Sequence, residues 1–252
     1  MRDKIIAGNW KMFTNADEAV KLASEIKARL TGFDDAVLLI CPSMTNLSLV
    51  YNVIKNTVIK LGGQNLHPEK SGAFTGEVSG EMLKTIGCEY VIIGHSERRA
   101  MFGDTDEFVN RKISAAIESG LKPILCVGEQ LEDREANLTE KVVETQLDGA
   151  LKGLPTDSME QVAIAYEPVW AIGTGKTATP EQAEEVHKFI REKISGEFGS
   201  QIADDTTILY GGSVKPDNSN TLFSKENIDG FLIGGASLKA ESFEKIAHSA
   251  SR

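Results

Sequence analysis

The chain has 252 residues, 41% of them hydrophobic and 25% charged, and a formal net charge of −10 at pH 7. That length suits one large domain or two small ones, and the composition supplies ample apolar residue for a core. The acidic balance excludes broad nucleic-acid binding, which needs a basic footprint, while allowing a small anion in a locally positive pocket.

In chain order, a strand-like run at residues 4–7 leads into a helix whose apolar face is Ala19, Leu22, Ala23, Ile26 and Leu30. A strand at 36–40 precedes a weaker helical pattern at 43–56, and a strand at 58–62 precedes another at 79–86. The run at 90–93 passes into a polar helical turn, Ser96-Glu97-Arg98-Arg99, ahead of the face Val109, Ile113, Ala116 and Ile117. A strand at 122–127 is followed by the face Val143, Leu147, Ala150 and Leu151. After the strand at 162–166 comes the clearest helix start, Thr179-Pro180-Glu181-Gln182, with a threonine cap, proline first and glutamine third. Ala183, Val186, Ile190 and Ile194 give that helix its buried stripe. Strands at 207–210 and 228–233 alternate with weaker helices at 216–224 and 238–248. Several strands are apolar nearly throughout, as strands covered on both faces of a parallel sheet should be. The alternation, without a linker, predicts one α/β domain over 1–252, a closed (β/α)₈ barrel; an open doubly wound sheet is the alternative.

The strand ends favour the barrel, because such barrels build their sites there. The first runs into Asn9 and Lys11, the fourth into Gly94-His95-Ser96-Glu97, and the sixth into Glu167-Pro168. The seventh ends in Gly211-Gly212-Ser213 and the eighth in Gly234-Gly235. Either glycine pair alone reads as a turn. Together, after strands seven and eight, they point to a phosphate cradle of bare backbone N–H groups. Most glutamates lie on surfaces, but Glu167 closes a strand and is held extended by Pro168, which suits a general base. A lone histidine is more often structural; His95 opens a helical turn, whose N-terminal dipole would keep its ring neutral. Lys11, one residue beyond a buried strand, would point into the mouth. The long connection 168–178 has a stiff start, an apolar middle and glycines near its far end, as a hinged lid would. Gly175-Lys176-Thr177 looks like the tail of a P-loop, but Trp170 stands where that motif needs glycine.

Cys41, Cys88 and Cys126 are widely spaced, and His67, His95, His187 and His248 form no i,i+4 pair, so the expectation is a reducing compartment and no metal or cofactor. No apolar run reaches membrane-spanning length, and Met1 to Trp10 carries no signal-peptide pattern, which makes the expected location cytoplasmic.

The segments Ala7-Gly8-Asn9-Trp10-Lys11-Met12, Ile93 to Arg99, Ala165 to Lys176, Tyr210 to Ser213 and Gly234 to Leu238 closely resemble the signatures of the triosephosphate isomerase family. The resemblance spans almost the whole chain and implies a cofactor-free TIM barrel acting in glycolysis and gluconeogenesis. It implies that Glu167 moves the carbon-bound proton of dihydroxyacetone phosphate, that neutral His95 polarises the carbonyl, and that Lys11 supplies fixed positive charge. Asn9 would donate to a substrate oxygen, and the phosphate would be held by Gly173, Ser213, Gly234 and Gly235. Glu97 and Tyr210 would support the site and the lid. The stretch 64–77 resembles the family's interdigitating loop, which implies a homodimer with Thr75 beside the neighbour's Asn9 and Lys11. Asp104, where the family usually has glutamate, and Ser43-Met44 depart from the pattern. A Schiff-base aldolase using Lys11 is the rival enzyme, though it has no use for Glu167. A binding scaffold would leave the joint base, electrophile and lid unexplained.

Overall fold

The computed structural model describes residues 2–172 and 177–251. Eight strands run in parallel: β1 (Ile5–Asn9), β2 (Val37–Cys41), β3 (Ile59–Gly63), β4 (Tyr90–Ile93), β5 (Lys122–Val127), β6 (Ala163–Tyr166), β7 (Ile208–Tyr210) and β8 (Gly230–Ile233). Each pairs with its sequence neighbours, and β8 returns to β1 with Ile5 opposite Gly230, which closes the barrel and excludes the open sheet. Their bounds fall within two residues of the sequence expectation.

The helices of the first half are α1 (Ala16–Arg29), α2 (Leu47–Ile54), α3 (Gly80–Ile86), α4 (Ser96–Phe102), α5 (Asp106–Glu118) and α6 (Leu131–Glu135). Those of the second half are α7 (Thr139–Ala150), α8 (Thr156–Met159), α9 (Pro180–Phe198), α10 (Ser200–Asp205), α11 (Pro216–Phe223) and α12 (Ala240–Ala247). The predicted cap of α9 forms: Thr179 Oγ1 accepts from the Gln182 N–H at 3.1 Å, and Gln182 returns an oxygen to the Thr179 N–H at 2.9 Å. Asn15 and Glu18 make the same reciprocal pair at the start of α1. The pattern at 43–56 splits into a 3₁₀ turn, Met44–Asn46, and α2. The short helices α6, α8 and α10 went unseen in the sequence, being too brief to show an apolar stripe.

Alternation along the strands divides the core in two. Ile5, Ala7, Leu39, Ile92, Ile124, Ala165, Leu209 and Leu232 point into the barrel. Ile6, Leu38, Ile40, Val91, Ile93, Leu125 and Phe231 pack outward against the helix ring. The interior is filled, so chemistry is confined to the mouth above the C-terminal strand ends. The stretch 64–79 is irregular, folded back by a bridge between His67 and Ser79 and by the His67 ring lying 4.1 Å from that of Phe74. Among the described residues no helix is long and apolar enough to cross a membrane.

Candidate active site

Strand β6 delivers Glu167 to the mouth with its backbone held on both sides. The Glu167 N–H donates to Val127 O at 2.8 Å, and the Gly211 N–H donates to Tyr166 O at 2.7 Å. Both flanking positions are glycine for steric reasons. A Cβ on Gly128 would sit 1.7 Å from the Glu167 carbonyl oxygen, and one on Gly211 would sit 2.9 Å from Glu167 Cγ. The Glu167 carboxylate, 2% exposed, has one oxygen 2.9 Å from His95 Nε2 and accepts the Ser96 N–H on the other at 2.9 Å. Ser96 opens α4, where N–H groups lack intrahelical partners and the helix dipole is positive.

Nδ1 of His95 accepts the N–H of Glu97 at 3.2 Å, so Nε2 carries the ring proton and aims it at Glu167. Burial pulls the His95 pKa down, but the charge of Glu167 and its hydrogen bond outweigh burial and raise it. For Glu167 burial pushes upward, and His95, the Ser96 N–H and Lys11 together hold the carboxyl below its ordinary value. The expected influence of the helix N-terminus on His95 is present, but in this arrangement a carboxylate at hydrogen-bonding distance is the stronger neighbour. Cys126, inside the barrel, stays a thiol because burial and the charge of Glu167 both push its pKa well up.

Lys11 occupies a left-handed backbone position, φ 51°, which costs a lysine strain and needs external support. Gln64 gives that support, donating from Nε2 to Lys11 O at 2.8 Å and to Cys41 O at 2.9 Å. Lys11 Nζ donates to Glu97 at 2.6 Å and lies where a Cβ on Gly234 would be 3.9 Å away. The Lys11 N–H donates to the Asn9 side-chain oxygen at 3.0 Å.

These groups share one cavity of about 730 Å³. It brings together Asn9, Lys11, His95, Glu167, Ser213, Gly234 and Gly235 from five strand ends. Gly234 and Gly235 open the 3₁₀ turn Gly235–Leu238, where backbone N–H groups lack partners within the turn. Glu97 instead borders an adjoining cleft of about 300 Å³ and touches the main cavity through its contacts with Lys11 and His95. Tyr210 is fully buried beneath the mouth rather than lining it. Its hydroxyl has no hydrogen-bond partner among the described residues; burial pushes it up to about 12, against an approach by the Ala178 backbone. Thr75 is exposed on the stretch 64–79 and lines neither cavity. Gly173 lies outside the described residues.

Glu129 and the partners of Asp104 also shape the site, and the sequence expectation does not single them out. Glu129 is buried at the end of β5, and one of its oxygens accepts Trp170 Nε1 at 2.9 Å and the Tyr166 hydroxyl at 3.1 Å. It therefore anchors the start of the predicted lid. Gly128-Glu129 follows β5 directly, and a carboxylate just past the end of a buried strand is the signal that marks it. Asp104 still closes its charge cluster despite its shorter side chain, accepting from Arg98 at 3.0 Å and from buried Lys112 at 2.6 Å. Lys112 donates onward to Asn65 at 2.9 Å.

A buried carboxylate paired with an imidazole above a packed (β/α)₈ barrel, facing a glycine-rich wall, is an arrangement suited to an enzyme of proton transfer on a small anionic substrate. A model of the triosephosphate isomerase family matches residues 4–250. Triosephosphate isomerase of Chloroherpeton thalassium is 53% identical over 253 residues, covering 99% of this chain and 100% of that protein. That of Carboxydothermus hydrogenoformans is 53% identical, with 98% of each chain covered. That of Chloroflexus aurantiacus is 51% identical, covering 98% of this chain and 99% of the relative. The chain belongs to the triosephosphate isomerase family.

Proposed function

We infer that this chain interconverts dihydroxyacetone phosphate and D-glyceraldehyde 3-phosphate through an enediolate, with Glu167 as the base. The carrying observation is the Glu167–His95 contact at 2.9 Å inside the 730 Å³ cavity. Glu167, ionised and screened from water, takes a proton from one substrate carbon and returns it to the next. While Glu167 turns to substrate, its pull on His95 ends. Burial, the largest influence on the ring, and Lys11 then pull its pKa down against Glu97 alone, which favours the neutral ring, and Nε2–H polarises the carbonyl. Lys11 places fixed charge beside the developing oxyanion. Asn9, its oxygen engaged by the Lys11 N–H, has its NH₂ left to donate to a substrate oxygen. Ser213, Gly234 and Gly235, with Gly173 from the lid, hold the phosphate. The lid excludes water and keeps the enediolate from eliminating phosphate. The reaction serves glycolysis and, reversed, gluconeogenesis in the cytoplasm. A coupled assay with dihydroxyacetone phosphate tests the reading: turnover by the purified chain, abolished in Glu167→Gln, is expected. An inactive parent would end it.

The working form is a homodimer. Support comes from Met12, Met101, Phe102, Met82 and Phe74, which are 94%, 74%, 67%, 51% and 42% exposed on one chain. Apolar area of this kind is covered economically by a two-fold interface. Met12 and Phe102 also line the 300 Å³ cleft beside Lys11 and Glu97, where a neighbour's Thr75 would seat. Deleting residues 67–74 should give a folded, mainly monomeric protein with strongly reduced kcat. Sedimentation and assay read this together; a monomer with near-parental turnover would remove Thr75 from the site.

A further inference from the structure

A phosphate dianion approaching a chain of net charge −10 meets overall repulsion, so its entry depends on local charge. The cavity wall carries Lys11, Lys215, Lys239 and Lys245 against Asp217 and Glu167. Most of these charges are already engaged. Glu167 faces His95, and Lys11 holds Glu97. Lys245 is bound to Glu241 at 2.8 Å and feels Asp217 as well. Lys215 and Lys239 remain; both are exposed, and neither makes an ion pair among the described residues.

Their placement is symmetrical in the fold. Lys215 is the cap residue of α11, just after Gly211-Gly212-Ser213, and Lys239 is the cap residue of α12, just after the Gly234–Leu238 turn. Each sits where a helix presents its positive end, on the two segments proposed to hold phosphate. A cleft with low-dielectric walls focuses such a field outward.

We propose that Lys215 and Lys239 form an electrostatic entrance that captures the substrate's phosphate dianion and guides it to the glycine cradle, acting on encounter rather than on the chemical step. This rests on the phosphorylated-substrate reading above, whose own failure would show as an inactive parent. The test compares Lys215→Gln/Lys239→Gln with Lys21→Gln/Lys152→Gln, which removes two exposed lysines from elsewhere on the chain. Both pairs take the formal charge from −10 to −12, since −10 − 2 = −12.

With D-glyceraldehyde 3-phosphate at an ionic strength of about 10 mM, kcat/KM of the entrance variant should fall roughly fivefold with kcat unchanged. At about 0.5 M, where the Debye length shrinks to about 4 Å, the loss should close to less than about 1.5-fold. The control pair should stay within about 1.5-fold throughout, and turnover of neutral D-glyceraldehyde should be unaffected in both. An equal loss in the two pairs would assign the effect to net charge and overturn the proposal. A loss insensitive to salt would mean a direct contact instead of a field, and no loss would dismiss the entrance; either outcome overturns it too.

Discussion

At the N-terminal end of the barrel, Arg191 and Asp229 are enclosed in a network with scarcely an unused bond. Arg191 donates to Asn227 Oδ1 and Asp229 Oδ2, each at 2.8 Å, to Thr206 O at 2.9 Å and also to Ala203 O. Asp229 further accepts Arg2 at 2.6 Å and the Ile208 N–H at 2.9 Å. At the C-terminal end, Glu167 and His95 are buried to a similar degree, yet their bonds run to each other and their open side faces a cavity of about 730 Å³. Buried charge costs several kcal/mol per ion unless geometry and hydrogen bonds return it. The lower network returns it within the fold. The upper pair leaves part of that return to a substrate, which is why one end holds the protein together and the other can do chemistry.

Acid should show the largest difference. His187 leans on the lower network, its Nδ1 3.0 Å from Asn227 O, and burial drives its pKa down from 6.5 to about 3. The unfolded chain then binds a proton that the folded chain refuses, so this contribution is intact above about pH 6.5 and is lost as pH falls towards 3. In full it amounts to about 5 kcal/mol, of which about 2 kcal/mol is gone by pH 5. Urea unfolding of the parent and His187→Gln between pH 7 and 5 should show the steeper decline in the parent. Parallel declines would detach His187 from acid sensitivity.

Breaking the lower network comes next. Arg191→Met strands Asp229 and should cost about 3–5 kcal/mol of stability, while kcat per folded molecule stays at the parental value. A fall in kcat without loss of stability would contradict the division of labour between the ends. At the upper end the effect inverts. Glu167→Asp withdraws the carboxylate by about 1 Å, enough to cost roughly a hundredfold in kcat, with thermal stability equal to or above the parent's. Turnover within a fewfold of the parent would remove Glu167 as base. The smallest effect belongs to the hinge. Trp170→Phe keeps the ring but loses the bond to Glu129, a hydrogen bond to a charged acceptor worth about 1.5 kcal/mol. Weaker affinity for a phosphate-bearing inhibitor, by roughly tenfold, should follow; unchanged affinity would uncouple Glu129 from the lid.

The barrel was legible because its strands are short, apolar and regularly spaced, and because α9 announces its start through Thr179, Pro180 and Gln182. The gathering of Asn9, Lys11, His95, Glu167 and the two glycine pairs around one cavity was legible because each stands at, or within two residues of, the C-terminal end of a strand. Supports acting through the backbone or from a distance were not. Ser96 contributes an N–H that any residue has, and Gln64 acts on Lys11 from 53 positions away. The lower network was likewise invisible, since Arg191 and Asp229 are 38 residues apart and meet only once the barrel closes.

The glycines beside the base set the terms on which this barrel can evolve. Gly128 and Gly211 contribute no functional group, and their value is the space that their missing side chains leave around residue 167. A carboxylate at 167 can be exchanged for another side chain with the scaffold intact, because its backbone is fixed by neighbouring strands rather than by the chemistry it carries. The reverse does not hold, since even a methyl group at 128 would collide with the main chain. A lineage seeking a new reaction in this mouth is therefore free to vary the reactive position and bound to keep the two silent ones. Positions 128 and 211 should tolerate fewer substitutions than position 167 itself whenever selection is for folding alone.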